Sequence, residues 1–364
     1  MWLCAIPELG WKQKMTLLHY FGSPDAIRQA GKDEFHDWEK VGIDWIRKLY
    51  ACLKQEFLDE VKEKMEKKQV DFVSRDHPAY PKRLRTIPDP PYGLFYKGRL
   101  PDSAPLYVGI VGARACSSYG SIMARQIAGG LAKADVHVVS GMAMGVDGIS
   151  QKAAVEAGGT SYAVLGCGPD RCYPRMNIEL YMLLQEKGGI LSEYPCSTTA
   201  QTWHFPARNR IISGLCDILV VIEAGNRSGS LITAEHALAQ GREVYAVPGR
   251  VNDPLSEGCN ALIRDGAGVI VSAELFVQMI RELSDQRHAL PGIERTEDRT
   301  KEKRFYGTPE EALVYTKLDV TPVTPEKLKA ETGLSIAQVQ RSLLNLQLAD
   351  LASEVAKNQF VKQK

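Results

Sequence analysis

The sequence predicts an α/β protein with a doubly wound, mostly parallel sheet, preceded by a small all-helical domain and followed by a winged helix. Three observations carry this reading. Between residues 104 and 283, short apolar runs rich in β-branched residues alternate with helical stretches. Residues 1–70 carry helix starts and stops without comparable strand runs. After a charged stretch, residues 305–364 show three helical patterns and a pair of short terminal strands.

In chain order, Leu17 to Phe21 reads as a helix stopped by Gly22, with Ser23-Pro24 opening the next one. Val41-Gly42-Ile43 ahead of Trp45, Ile46 and Leu49 repeats that turn, and a charged helix from Glu56 to Lys68 closes the segment. Helical modules of this size hold backbone phosphates in hairpin turns or serve only to pack; packing is the simpler reading. Residues 71–103 carry Pro78, Pro81, Pro88, Pro90, Pro91 and Pro101. That density forbids a regular helix and predicts an extended strap onto the next domain.

Strands are predicted at Leu106–Val111, Val136–Val139, Tyr162–Leu165, Ile190–Leu191, Ile218–Ile222, Val244–Val247 and Val269–Val271. Several are apolar on consecutive residues, as strands covered on both faces must be. Helices fall between them at Ile122–Lys133, Ile178–Gln185 and Leu231–Gln240. Residues 284–304 lose the apolar pattern and read as a linker, with Glu294–Arg304 almost all charged or polar. Beyond it, Glu310–Leu318, Pro325–Thr332 and the stripe Ile336, Val339, Leu343 and Leu346 predict three helices. Leu351–Val355 and Gln359–Lys362 complete a winged helix.

The chain of 364 residues is 44% hydrophobic and 24% charged, as a folded soluble protein is. Forty-five Lys plus Arg balance forty-four Asp plus Glu, so attraction to phosphate must come from a few placed cations and backbone amides. No apolar run reaches the ~20 residues that cross a bilayer, and the first residues lack the basic flank of a secretory signal, so a cytoplasmic location is expected. Eight scattered cysteines point to reduced thiols, with no metal site expected.

Ligands of a doubly wound sheet bind beyond the carboxyl ends of its strands. After the first predicted strand comes Gly112-Ala113-Arg114, then Ser117 ahead of a helix; small residues admit a ligand, the helix start offers N–H groups, and Arg114 offers a fork matched to phosphate. The spacing is not G-x-G-x-x-G, and the second strand ends in Ser140-Gly141 rather than in an acid that would grip a ribose, which argues against a dinucleotide enzyme. Further loops bring Arg175 and Asn177, then Arg208-Asn209-Arg210, then Arg227 to Gly229-Ser230. Such a row of amides and arginines suits a chain of phosphates, and Tyr119, Tyr173, Trp203 and Phe205 are available for base stacking. Taken singly, each glycine turn and each aromatic is as well explained by packing.

At these motifs the sequence resembles a known family. Ser140-Gly-Met-Ala-Met-Gly-Val-Asp147, Tyr173-Pro174 with Asn177, Leu191-Ser-Glu-Tyr-Pro195, Phe205-Pro-Ala-Arg-Asn-Arg-Ile-Ile-Ser-Gly-Leu215, Gly229-Ser-Leu-Ile-Thr-Ala234 and Tyr245-Ala-Val-Pro-Gly249 resemble, in order and spacing, the DNA-processing protein A (DprA, or Smf) family. The resemblance covers nearly the full chain. It implies an extended Rossmann-like domain that binds single-stranded DNA, a homodimer, and a recombination mediator without enzymatic activity or cofactor. Such a mediator protects incoming DNA and loads RecA recombinase past single-strand-binding protein during natural transformation. The family's phosphate-facing arginine falls on Arg114 and its Arg-Asn-Arg helix start on Arg208, Asn209 and Arg210. Two positions depart from the family pattern: Met144 replaces a common Arg, and Gln151 a common His.

The strongest rival is a phosphoribohydrolase on a similar fold, whose turn places an acid three residues after a Thr. Ser230 occupies that Thr position here, and the count lands on Thr233, which has no carboxylate to act as base. Nuclease chemistry wants clustered acids, yet Asp147, Asp170, Glu193 and Glu223 come from separate strands. In the winged helix the third helix offers one cation, Arg341, beside Gln338, Gln340 and Asn345, which suits a protein contact better than duplex reading.

Overall fold

The computed structural model describes residues 1–6, 9–30, 49, 52, 54–102, 106–288, 308–318, 322–348, 352–356 and 358–362. They form two compact units, Met1–Ile293 and Glu294–Lys364.

The first unit is organised by a sheet of strands β1 (Asp71–Ser74), β2 (Gly93–Gly98), β3 (Tyr107–Gly112), β4 (His137–Ser140), β5 (Ser161–Leu165), β6 (Gly188–Ser192), β7 (Ile218–Ile222), β8 (Glu243–Ala246) and β9 (Gly268–Val269). Their spatial order is β1-β2-β6-β5-β4-β3-β7-β8-β9. From β6 through β9 every pairing is parallel. The sheet is doubly wound and Rossmann-like, with all seven predicted strands in place.

Alternation along β3 shows how both faces are covered. Tyr107 and Val111 point into one core with Ile211, Leu215 and Ala234. Val108 and Ile110 point into the other with Ile127, Leu131 and Phe276. At ~25 cal/mol per Å² of apolar surface buried, these two layers are the main favourable term in holding the sheet together.

The proline-rich segment does more than strap. Its prolines all lie outside Asp71–Ser74 and Gly93–Gly98, and these two proline-free stretches extend the sheet. Strand β2 pairs antiparallel with β6, Phe95 opposite Ser192, and β1 pairs antiparallel with β2. Between them lies one helical turn, Lys82–Arg85. The predicted linker also begins later than residue 284: helix Ala273–His288 continues because Ser284 is buried and Arg287 pairs with Asp217 at 2.7 Å. Residues 289–304 lie outside the described residues.

At the amino end, Gly22 takes a φ of 78° and stops helix Trp11–Phe21. Ser23 then accepts a hydrogen bond from the Ala26 amide to cap helix Pro24–Gln29. The second turn signal, at 41–46, lies outside the described residues. Leu3, Ile6, Leu17 and Ile27 form a small core of their own. A second cluster, with Ala5, Val61 and Met65, reaches Phe95 on β2, so this helical segment belongs to the same compact unit as the sheet.

The second unit is a winged helix. Helices Pro309–Lys317, Pro325–Thr332 and Ile336–Leu348 enclose Val314, Leu328, Val339 and Leu343, and β10 (Ala352–Ala356) pairs antiparallel with β11 (Gln359–Lys362). Thr308 and Glu311 form a reciprocal capping box at its first helix. No helix among the described residues is long and apolar enough to cross a membrane.

Candidate functional site

Strand β3 lies between β4 and β7, so winding reverses on either side of it, and a cleft of about 400 Å³ opens at the carboxyl ends there. This is where the topology of an open α/β sheet places a ligand, and the size falls within the range of small-ligand sites. Gly112 ends β3 at the cleft wall. A Cβ there would lie 1.8 Å from the Ile222 carbonyl, so only glycine lets β3 and β7 stay in register at this point.

The floor of the cleft holds two buried charged groups, Asp147 and Arg208. Asp147, in the first turn of helix Val146–Glu156, accepts a hydrogen bond from the Gly141 amide at 3.1 Å. Arg208, in the first turns of helix His204–Leu215, donates to the Gly141 carbonyl at 3.0 Å and to the Val164 carbonyl. A Cβ on Gly141 would meet that guanidinium at 2.5 Å. Burial pushes the Asp147 carboxyl up, against the pull of the Arg208 charge, and burial pushes the Arg208 guanidinium down. Arg208 therefore ties the second loop to the end of β5 and keeps one nitrogen edge along the cleft. Asn209, beside it, donates to the Gly229 carbonyl at 3.2 Å.

The rim carries the groups that can meet a ligand. Arg114 is exposed, and among the described residues no carboxylate forms an ion pair with it. Its guanidinium stands 5.2 Å from the centre of the Phe205 ring, which lies 6.0 Å from the Arg208 guanidinium and 5.6 Å from the Tyr173 ring. Phe205 is thus flanked by two cations and a second aromatic, an arrangement that fixes a flat apolar wall beside positive charge. Across the cleft, helix Gly229–Ala239 begins with Ser228 as cap, and nothing lies within 4 Å of where a Gly229 side chain would be. At that helix start the Ser230 amide donates to the Ser228 hydroxyl at 3.4 Å and the Leu231 amide to the Ser228 carbonyl at 3.1 Å, with the Ser228 and Ser230 hydroxyls 2.7 Å apart beside them. Arg175 is exposed on the third loop, and Ala113 lies buried beneath Arg114.

Other predicted site residues are committed inside the fold. Ser117 caps helix Ser118–Lys133, but its amide and hydroxyl both donate to the Glu223 carboxylate. The anion at that helix start is therefore the protein's own, and it fills the place predicted for a phosphate. Ser140 is fully buried and donates to the Ile110 carbonyl at 2.6 Å. Asn177 donates to the carbonyls of Met142 and Ala143, stitching the third loop to the second. Arg210 turns away from the cleft: its Nη2 donates to both Glu193 carboxylate oxygens at 2.8 and 2.9 Å, and its Nε pairs with Asp89 at 3.0 Å. Burial works against its charge, but Glu193 and Asp89 more than offset this and hold it above the usual arginine range. The two positions that depart from the family pattern also separate. Gln151 is buried and bridges the Met142 amide to the Tyr162 carbonyl, whereas Met144 is exposed.

In the sequence Glu193 and Glu223 could equally cap a helix or pair with an arginine; the structure has Glu223 accept from Ser117 at a helix start and Glu193 pair with Arg210. What the sequence does not give is which helix start Glu223 reaches, more than a hundred residues away. Asp147 did leave a signal, an acid in the first turn after a glycine-rich loop.

Fold and cleft define a class: a doubly wound sheet with a ligand cleft at its switch point, joined in one chain to a winged helix. Residues 71–281 match the DNA recombination-mediator protein A family, and residues 298–356 match the DprA winged helix domain. The chain belongs to that DprA/Smf family. It is 38% identical over 280 residues to Protein Smf of Escherichia coli, which covers 76% of this chain and 74% of the relative. It is 44% identical over 196 residues to DNA processing protein DprA of Streptococcus pneumoniae, covering 54% and 69% of the two chains. Among solved structures, the Streptococcus pneumoniae DprA structure superposes with a TM-score of 0.57 at 34% identity, covering 73% of this chain and 96% of the other. A Helicobacter pylori DNA processing protein A structure, described for its single-stranded DNA binding mode, superposes with a TM-score of 0.54 at 29% identity, covering 59% and 97%.

Proposed function

We propose that the protein binds single-stranded DNA at the switch-point cleft and acts as a recombination mediator that hands the strand to RecA. The observation that carries this reading is the joint presence, around one opening, of exposed Arg114, the Phe205–Tyr173 wall and the uncovered start of helix Gly229–Ala239. A cation, an aromatic face and a hydroxyl-bearing helix start match the charge, base and phosphate of a polynucleotide without requiring a base sequence. A cleft of about 400 Å³ suits one nucleotide at a time, so neighbouring nucleotides would lie over the exposed rim, with Arg175 and Arg227 as further cations. The relatives support the same reading, since the Helicobacter pylori protein is described as binding single-stranded DNA. Transfer to RecA past single-strand-binding protein, and assembly as a homodimer, are part of the proposal.

The phosphoribohydrolase reading is less well supported. Thr233 lines the cleft where that chemistry wants an acid, and Glu235 is exposed outside it. Among the lining residues the one carboxylate, Asp147, is bonded to Gly141 and faces the Arg208 charge.

Arg114→Ala tests the proposal. Removing one charge-assisted phosphate contact, ~1.5–3 kcal/mol, should weaken single-strand affinity about tenfold or more and reduce its salt slope by ~0.7, whatever the sequence. Unchanged affinity across a salt series would remove the cleft from the binding site. Release of free base from nucleoside monophosphates would instead favour the enzyme.

A further inference from the structure

A second cavity, of about 410 Å³, lies in the same compact unit between helix Gln55–Lys68 and the loop that follows β6. Phe57, Val61 and Lys64 form one wall, and Cys196, Gln201 and Trp203 the other. It adjoins the switch-point cleft through a single stretch of chain: Thr202 and Phe205 line the cleft, while Trp203 and His204 line the cavity.

Trp203 is 59% exposed, unusual for so large an apolar side chain, yet it is held in place. His204 packs edge-on against it with ring centres 4.0 Å apart. His204 is in turn bonded to the Gly166 carbonyl at 2.9 Å and stacked on Tyr194 at 3.9 Å. The indole is therefore a platform held in place and left more than half exposed by the described residues of its unit. Charges of both signs surround the cavity. Lys64 borders the cavity, and Lys68 and Lys97 act on the Cys196 thiol, which burial and nearby Asp170 keep neutral up to about pH 11. Asp170 itself accepts a hydrogen bond from the Ser197 amide, and Lys64 has a solvent-exposed partner in Glu60 at 3.6 Å.

We propose that Trp203 is a base-stacking residue that carries a single-stranded polynucleotide out of the cleft and into this second cavity, with Lys64 meeting its backbone. The proposal rests on the cleft being the entry site. A base held against Phe205 leaves its neighbour to fall on the indole two residues earlier in the chain, and the next phosphate then lies toward helix Gln55–Lys68. The amino-terminal helical segment thereby becomes one wall of the DNA path, a role beyond packing.

The test uses the full chain, with anisotropy titrations of a thymidine trinucleotide and a thymidine dodecamer. Trp203→Ala should weaken the dodecamer about tenfold, equivalent to ~1.4 kcal/mol and within the range for one stacked base. The trinucleotide, which the cleft alone can hold, should lose less. Trp203→Phe should recover most of the dodecamer affinity, and Lys64→Gln should lower the dodecamer's salt slope. Dodecamer binding should quench tryptophan emission in the parent more than in Trp203→Phe. Parental affinity of Trp203→Ala for the dodecamer, or an equal loss at both lengths, would overturn the proposal. Failure of the cleft itself is distinguishable, because Arg114→Ala would then leave both lengths unaffected.

Discussion

Arg208 and Asp147 lie beneath the cleft with almost no exposure, and each charge eases the burial of the other. Arg208→Ala should lower unfolding free energy by ~3–5 kcal/mol in urea titrations, because it leaves a buried carboxylate uncompensated. Adding Asp147→Asn should recover part of that loss. A single variant as stable as the parent would show that the pair does not hold the floor together. Arg114, exposed and with no ion-pair partner among the described residues, should tolerate the same truncation with little change in stability. In the sequence Arg114, Arg208 and Arg210 are equivalent candidates for phosphate. What separates them is the remote partners that only folding supplies: Asp147 for Arg208, Glu193 and Asp89 for Arg210, and a neighbouring aromatic ring for Arg114.

Helix Ser118–Lys133 and helix Gly229–Ala239 both start at the carboxyl edge of the sheet; a carboxylate of the protein occupies the first start, whereas the second is capped by its own Ser228. The Glu223 carboxylate, following β7, takes the Ser117 amide and hydroxyl, and a Cβ on Gly120 would come within 2.4 Å of that carboxylate. Glu223→Ala should cost ~1–2 kcal/mol, the loss of a cap and of a charge favourable to the helix dipole, measured as a shift in urea midpoint. No shift would mean that water caps the helix equally well. The seven parallel strands were legible because double-sided burial makes their residues apolar in succession. Strands β1 and β2 were hidden by the prolines around them: Gly93-Leu-Phe-Tyr-Lys-Gly98 is strand-like, but proline density in its flanks dominates any reading of the whole segment. The predicted linker failed at its first residues for a related reason. Ser284 looks like a surface residue but is buried, and Arg287 finds its partner in Asp217, seventy positions earlier.

At the scale of the whole molecule, the cleft and its supporting residues all fall within Met1–Ile293, and the winged helix is compact by itself. A chain ending at Ile293 should therefore fold and keep most of its single-strand affinity, read by titration beside the parent; loss of nearly all affinity would move the main site to the carboxyl-terminal unit. The location of the cleft was legible, since topology fixes it once the strands are known. Its chemistry was only half legible, because four of the predicted contacts, Ser117, Ser140, Asn177 and Arg210, hold the scaffold. With a net charge of +1, the protein has no general attraction for nucleic acid to add to the cleft. The most direct test is accordingly a salt series of titrations with single-stranded and duplex oligonucleotides of one length. The structure predicts tighter single-strand binding at every salt concentration, weakening with salt by a slope that reports a few phosphate contacts at ~0.7 each. Equal affinity for both forms, or single-strand affinity indifferent to salt, would contradict a cleft that grips an unpaired strand.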